Sequence, residues 1–269
     1  MKILPTIGPA TQKIKDLKFL FKYCSIARIN TSHNSIAWHK KTISLIKKIN
    51  PKIDILVDIP GIKPRTNNIK NVVLKKNEIV NFVYKSKKSK KSKRKFIELT
   101  RKLPKKQGRV NKFFSLDDGK ILFKLIKFDK TFITGKALTE CVIKPKKGLN
   151  IPYSVYDNNA QKKIYIKYLN KLKNSKFNAV GLSFVQNKDL IIYLKKKFPK
   201  ILIVSKIENS EGLKNSKDIC KFSDAIMIDR GDLSAEIGDN NLYDAILKIS
   251  ELTKKNGKPL IMATENLET

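Results

Sequence analysis

Histidine, cysteine and arginine are scarce in this chain, with two, three and six residues among 269. Neither His33 nor His39 has a serine, cysteine or carboxylate at the spacing of a nucleophilic relay, so a histidine-based triad is not supported. Cys24, Cys141 and Cys220 stand far apart, in no CxxC or other metal-ligand spacing. They read as reduced thiols of a cytoplasmic protein, which argues against a disulfide scaffold or a cysteine zinc site. The glycine-rich loops GxGxxG and GxxxxGK[ST] are both missing, so any nucleotide has to be held by other means. No run of about 18 uncharged apolar residues exists, so no membrane-spanning helix is expected. The opening MKILPTIGPATQK has no apolar core and no small-residue cleavage site, so no secretory signal is expected either.

Acid is also in short supply: 23 Asp+Glu face 58 Lys+Arg, a formal net charge of +35. Such a balance raises the question of nucleic acid. Yet 52 of the cations are lysine, and isoleucine and asparagine are abundant beside it. These are the residues of A/T-rich codons, whereas arginine, the better reader of phosphates and bases, is rare. A genome-wide composition bias accounts for the charge more simply than a nucleic-acid partner. The densest run, KSKKSKKSKRK at 85–95, contains no aromatic residue on which a base could stack and reads as a solvated loop.

The 41% of apolar residues are enough for a core. They fall in short runs separated by helical stretches. Strands are expected at Lys2–Thr6, Ser25–Ile29, Ile53–Asp58, Ala179–Ser183, Ile201–Lys206, Ala225–Ile228 and Leu260–Ala263. Helices are expected at Ile14–Tyr23, Ala37–Ile49, Asn159–Lys173, Lys188–Lys197, Glu211–Cys220 and Leu242–Lys255. Such a rhythm predicts a parallel sheet, doubly wound or closed as a (β/α) barrel. Between about Asn67 and Lys147 the helical period disappears. Alternating runs at Asn71–Leu74, Ile79–Tyr84, Phe113–Leu116, Ile121–Lys127 and Thr131–Leu138, with Asp118-Gly119 as a turn signal, predict a small β-rich insert. The seventh α/β strand falls just before Thr269, whereas a barrel closes with eight.

In a parallel barrel, chemistry gathers beyond the C-terminal ends of the strands. Polar groups stand at nearly every such end here: Arg28 to His33, Asp58 to Arg65, Ser183, Ser205 to Asn209, Asp229 to Asp232, and Thr264 with Glu265. Helix capping explains some of the short polar residues but not a lysine and an arginine in buried strands. Glu208 and Asp232 are hard oxygen donors suited to Mg²⁺. Lys206 and Arg28 are cations beside them, fit to clamp a phosphorylated anion or a developing enolate. Gly231 allows close approach to the backbone, and Thr264 offers a hydroxyl for proton relay.

These residues resemble the pyruvate kinase family. PTIGPAT at 5–11, ARINTSH at 27–33, VSKIEN at 204–209, IMIDRGDL at 226–233 and GKPLIMAT at 257–264 follow the family's order, and LDDG at 116–119 and KKGLNIP at 146–152 match its lid. The resemblance implies a (β/α)₈-type TIM barrel with an inserted β-rich lid. Its parts would be barrel at 1–66, lid at 67–149 and barrel again at 150–269, here lacking the last strand and the C-terminal domain. It implies transfer of a phosphoryl group from phosphoenolpyruvate to ADP, giving pyruvate and ATP. Arg28 would bind the phosphoryl group, and Lys206 would stabilise the enolate. Glu208 and Asp232 would hold Mg²⁺ or Mn²⁺. Gly231, Asp232 and Thr264 would contact substrate, and Arg65, Lys147 and His33 the nucleotide. Asn30, Ser32 and Asp58 match a monovalent-cation site.

Several positions depart from the family's pattern. Ile59 replaces a threonine, and Lys63 stands where many members have glutamate. An ammonium there is expected to substitute for potassium, so K⁺ is not expected to be required. Asp229 replaces a small residue, Ser234 a glycine and Glu265 a glutamine. The alternative to an active kinase is a decayed or partner-dependent protein on the same scaffold. A homo-oligomer through the barrel remains open.

Overall fold

The structure is a computed structural model that describes residues 2–85, 94–106 and 112–263. Six strands, Ile26–Asn30, Asp54–Ile59, Ala179–Leu182, Leu202–Ile207, Ala225–Asp229 and Leu260–Ala263, form one curled, all-parallel sheet in chain order. Their sequences explain why. Asp54–Ile59 (DILVDI) and Leu202–Ile207 (LIVSKI) are rich in aliphatic residues and buried at every position after the first, as strands covered on both faces must be. The outer face packs against helices through Ile43, Ile46, Tyr165, Leu169, Ile191 and Ile249. The inner face carries Leu56, Ala179, Val204, Ala225 and Met227, where alanines leave room for the curl. Each fully buried aliphatic side chain contributes about 1.5–3 kcal/mol.

The crossover helices start where the sequence supplies caps. Ser35 accepts from Trp38 N at the start of Ile36–Ile49. Asp157 caps Asn158–Lys171, and Asn187 caps Lys188–Lys197. Among the described residues no helix is long and apolar enough to cross a membrane.

Two expectations are corrected, and one helix was not expected. Lys2–Thr6 is not a strand: only Thr6 bridges Arg28, through Arg28 N to Pro5 O and Ile7 N to Arg28 O, both 2.8 Å. Pro5 has no N–H to extend the ladder. The helix expected at Glu211–Cys220 is two, Ser210–Lys214 and Ser216–Phe222, because the Asn215 amide turns to bond Gln186 O and Glu211 Oε1. A helix that the apolar periodicity does not predict, Arg230–Ile237, follows Asp229 directly.

Between the second and third strands of the parallel sheet, the chain builds a separate six-stranded sheet. It comprises Leu149–Asn150, Phe113–Leu116, Ile121–Phe128, Phe132–Ala137, Ile79–Val83 and Lys95–Glu98, in that spatial order. Phe82, Phe114 and Phe123 fill its core, with ring centroids 5.1 to 5.6 Å apart. Gly135 admits the Phe114 ring, which a Cβ would meet at 2.4 Å. The turn Asp117–Lys120 carries positive φ at Asp117, Asp118 and Gly119, as its Asp-Gly signal predicts. Bridges Arg65–Gly148 and Thr66–Leu99 tie the base of this insert to the loop leaving Asp54–Ile59. Most of the basic run, 86–93, and Thr264 with Glu265 lie outside the described residues.

Candidate active site

The C-terminal ends of the parallel strands bring the expected charges together. Arg28 ends its side chain on Asp58, with Nε 2.9 Å and Nη2 2.6 Å from Oδ2, while Nη1 donates to Thr6 Oγ1. Lys206 reaches the same carboxylate at 3.2 Å and meets Glu208 Oε1 at 2.7 Å, Asp229 Oδ2 at 3.5 Å and Ser183 Oγ at 3.3 Å. Burial alone would push the Lys206 ammonium down. Asp58, Glu208 and Asp229 more than offset it and hold its pKa above the usual lysine value.

Glu208 is fully buried. Its Oε2 accepts from Phe184 N at 2.8 Å, while Oε1 has no aligned hydrogen-bond donor despite the nearby ammonium. Burial, reinforced by Asp232 and Asp229, pushes its carboxyl up to about 8 against the pull of Lys206. Phe184 pays in backbone strain, with φ +61°, for aiming its N–H at Glu208. Gly61 passes so close to this corner that a Cβ would lie 2.9 Å from Ser183 O.

Lys63 takes a different direction from its expected one. Its Nζ lies 2.5 Å from Asp232 Oδ1 and 3.0 Å from Asp118 Oδ1, the latter on the insert turn. Its hydrogen bonds go there, and Asp58 is occupied by Arg28, Lys206 and Ser183 instead. Burial works against the Lys63 charge, but Asp232 and Asp118 outweigh it and raise its pKa. The partner effect appears at Asp232: burial alone would raise its carboxyl, and Lys63 more than reverses this. Gly148 makes the arrangement possible, since a Cβ there would meet Lys63 Cε at 2.6 Å.

Arg28, Asn30, Ser32, His33, Lys63, Arg65, Lys206, Asp229 and Asp232 line one cavity of 260 Å³. A roomier groove of 690 Å³ beside Leu213 and Ala245 contains none of them. Gly231 is buried in the first turn of Arg230–Ile237. Lys147 stands apart on the insert, paired with Asp117 at 2.7 Å. Arg65 is exposed and donates to Lys146 O.

Sequence reasoning missed Arg101 and Glu236. Arg101 enters the cavity from the insert and donates to Gly61 O at 3.0 Å; a basic dipeptide in a loop carries no signal of that reach. Glu236 is fully buried on Arg230–Ile237, and burial lifts its carboxyl to about 8. The carboxylates Glu208, Asp229 and Asp232 offer one oxygen each within 4.8 Å of one another. Two buried carboxylates and a half-buried one are hard oxygen donors of the kind a small divalent cation takes, with the Lys206 ammonium beside them.

A curled parallel sheet, half of a barrel, gathers carboxylates, a buried lysine and an arginine at its C-terminal rim, where α/β barrels place their chemistry. The family model "Pyruvate kinase, barrel domain" matches residues 1–269, and the chain belongs to the pyruvate kinase family. It is 32% identical to the pyruvate kinase of Buchnera aphidicola subsp. Schizaphis graminum, over all of this chain and 58% of that protein. It is 31% identical to that of Encephalitozoon cuniculi, over all of this chain and 63% of the relative. Identity to that of Thermococcus litoralis is 28%, over 99% of this chain and 58% of the relative. The chain thus spans somewhat over half the length of these relatives.

Proposed function

We propose that this chain carries the phosphoryl-transfer centre of a pyruvate kinase, moving a phosphoryl group from phosphoenolpyruvate to ADP. The observation that supports this best is Lys206. It is a buried ammonium held beside Glu208 and Asp229 and connected through Asp58 to Arg28. A buried cation so placed meets the negative charge that develops on the enol oxygen as the phosphorus–oxygen bond breaks.

Arg28 is pre-aimed by Asp58 and Thr6, so its guanidinium can take a phosphoryl oxygen without reorganising. Glu208, Asp232 and their neighbours would hold Mg²⁺ or Mn²⁺, which supplies charge neutralisation for the transferring group and the substrate carboxylate. Arg65 and Arg101, both at the cavity and the latter on the insert, offer charge for the nucleotide phosphates, as does Lys147 of the insert, and His33 at the cavity offers a ring N–H. The insert acts as a lid: Asp118 reaches Lys63, so its closure encloses the anions and excludes water. In the forward direction, the bond from the enol oxygen to phosphorus breaks and one from the ADP terminal oxygen forms. The enolate then takes a proton at carbon to give pyruvate. Thr264 is proposed to orient that face.

The test is pyruvate formation dependent on phosphoenolpyruvate, ADP and Mg²⁺, beside a Lys206→Met control. Activity absent from the control supports the reading. A folded, monodisperse sample with no activity supports a non-catalytic or partner-dependent protein instead.

A further inference from the structure

We propose that Arg65 and Arg101 form a two-arginine fork for the terminal phosphate of a nucleoside diphosphate, and that Arg101 makes the cavity select a diphosphate over a monophosphate. The inference rests on the nucleotide-binding reading above and narrows it to one phosphate and one pair of side chains.

Arginine is the scarce cation of this chain, six residues against 52 lysines. Three of the six, Arg28, Arg65 and Arg101, nevertheless line one cavity of 260 Å³. A planar fork of donors suits a phosphate in a way that the point charge of a lysine does not. Arg28 is engaged by Asp58 at 2.6 Å. Arg65 and Arg101 each spend one nitrogen on a carbonyl oxygen, Lys146 O and Gly61 O, both at 3.0 Å. A guanidinium carries five N–H donors, so both keep donors for a ligand. The acids of the cavity do not pair with them: Asp232 is bound to Lys63, and Asp229 faces Lys206.

The backbone holds these two arginines together. Thr100, next to Arg101, donates its N–H to Arg65 O at 2.9 Å and accepts from Arg65 N on Oγ1 at 3.1 Å. Two like charges are thereby fixed near each other, which costs energy that an anion between them repays. The cost is visible at Arg101: burial lowers its pKa, and Arg65 adds to this against the pull of Tyr168. Lys147, the cation that the resemblance assigns to the nucleotide, does not line the cavity and is paired with Asp117 at 2.7 Å. Arg101 is thus the cation that the insert carries into the cavity. The terminal phosphate of a diphosphate has oxygens enough for both guanidiniums, whereas a monophosphate offers no second group for the fork.

The experiment is calorimetric titration of the purified chain with ADP and with AMP, in EDTA at constant ionic strength, so that side chains alone read the phosphates. Wild type is expected to bind ADP more tightly than AMP. Arg101→Met is expected to weaken ADP at least ten-fold and AMP less than three-fold. Arg101→Lys, which keeps the charge and loses the fork, is expected to weaken ADP several-fold. Denaturant unfolding establishes that the variants fold, and the Lys variant decides if the Met variant does not. Lys102→Met removes a neighbouring charge that does not line the cavity, and its ADP affinity is expected to match wild type. ADP binding by the deciding variant within two-fold of wild type overturns the proposal. So does equal weakening of ADP and AMP, equal weakening by Lys102→Met, or a wild type that binds no ADP at millimolar concentration. Pyruvate formation by wild type tests the kinase reading separately: a chain that binds ADP through Arg101 and forms no pyruvate keeps this inference and loses that one.

Discussion

Lys63 Nζ stands 2.5 Å from Asp232 Oδ1 across 169 residues of sequence, tying the loop after the second strand to the helix after the fifth. The same ammonium holds Asp118 of the insert at 3.0 Å. One buried side chain thus links the two sheets at the candidate metal site.

Replacing Lys63 by Met removes both pairs and leaves Asp232 with its burial penalty. The expected loss is about 1–3 kcal/mol, the cost of stranding a partly buried charged partner. Protease cleavage within the insert is also expected to rise. Denaturant unfolding and limited proteolysis of the metal-free protein check this, and an unchanged midpoint with unchanged cleavage would refute it.

Lys206→Met has a larger expected effect, because Asp58, Glu208 and Asp229 all lose a cation in a buried setting. The metal-free variant is expected to lose about 3–5 kcal/mol, as when one partner of a buried pair is removed. Added Mn²⁺ should recover part of the loss by neutralising the same carboxylates. A variant as stable as wild type would show that the cluster does not depend on this lysine.

Glu236 gives a pH dependence of definite sign. Burial raises its folded carboxyl from the ordinary 4.5 to about 8, so the native state holds a proton that the unfolded chain releases. Its favourable linkage is fully present below about 4.5 and is lost as pH rises to about 8. Glu236→Gln stays uncharged throughout. Its stability relative to wild type is therefore expected to grow from pH 5 to pH 9, measured as denaturant midpoints. A difference constant with pH would refute the assignment.

Gly61→Ala places a methyl group 2.9 Å from Ser183 O and 3.0 Å from the Phe184 ring. The backbone must shift where Phe184 N supports Glu208, and the expected cost is about 1–3 kcal/mol of overpacking. Mn²⁺ affinity should fall with it. Thermal unfolding and metal binding together test this, and wild-type values for both would sink it.

Potassium independence is a prediction about activity, and it rests on Arg28 and Lys206, which already place positive charge on Asp58 of the expected monovalent-cation set. Pyruvate formation in choline chloride is expected to lie within two-fold of that in KCl at equal ionic strength. A several-fold rise with KCl would show that Lys63, engaged at Asp118 and Asp232, leaves the monovalent site to be filled.

Much of this site was legible along the chain. Arg28, Lys206, Glu208 and Asp232 stand at the ends of short apolar runs, and a buried strand that closes on a charge advertises a purpose. The insert was legible from the loss of helical period. Asp229 was visible as a departure from the family's pattern, but not as a neighbour of Lys206. Arg101 was invisible because only the folding of the insert carries it to Gly61. Glu236 was invisible because Arg230–Ile237 has no apolar stripe from which a buried face could be read. The Phe184 N–H was invisible because no side chain announces a backbone donor.

The sequence by itself determined where most strands and helices fall and which residue types stand at the rim, since both follow largely from local periodicity and capping. The tertiary structure decided which charge meets which. Lys63 turned to Asp118 and Asp232, and Arg28 and Lys206 came to share Asp58. The reason is physical: in a buried, low-dielectric site the pairing energy depends on distances of a few ångströms. Those distances are set between segments as much as 169 residues apart, where no local pattern reaches.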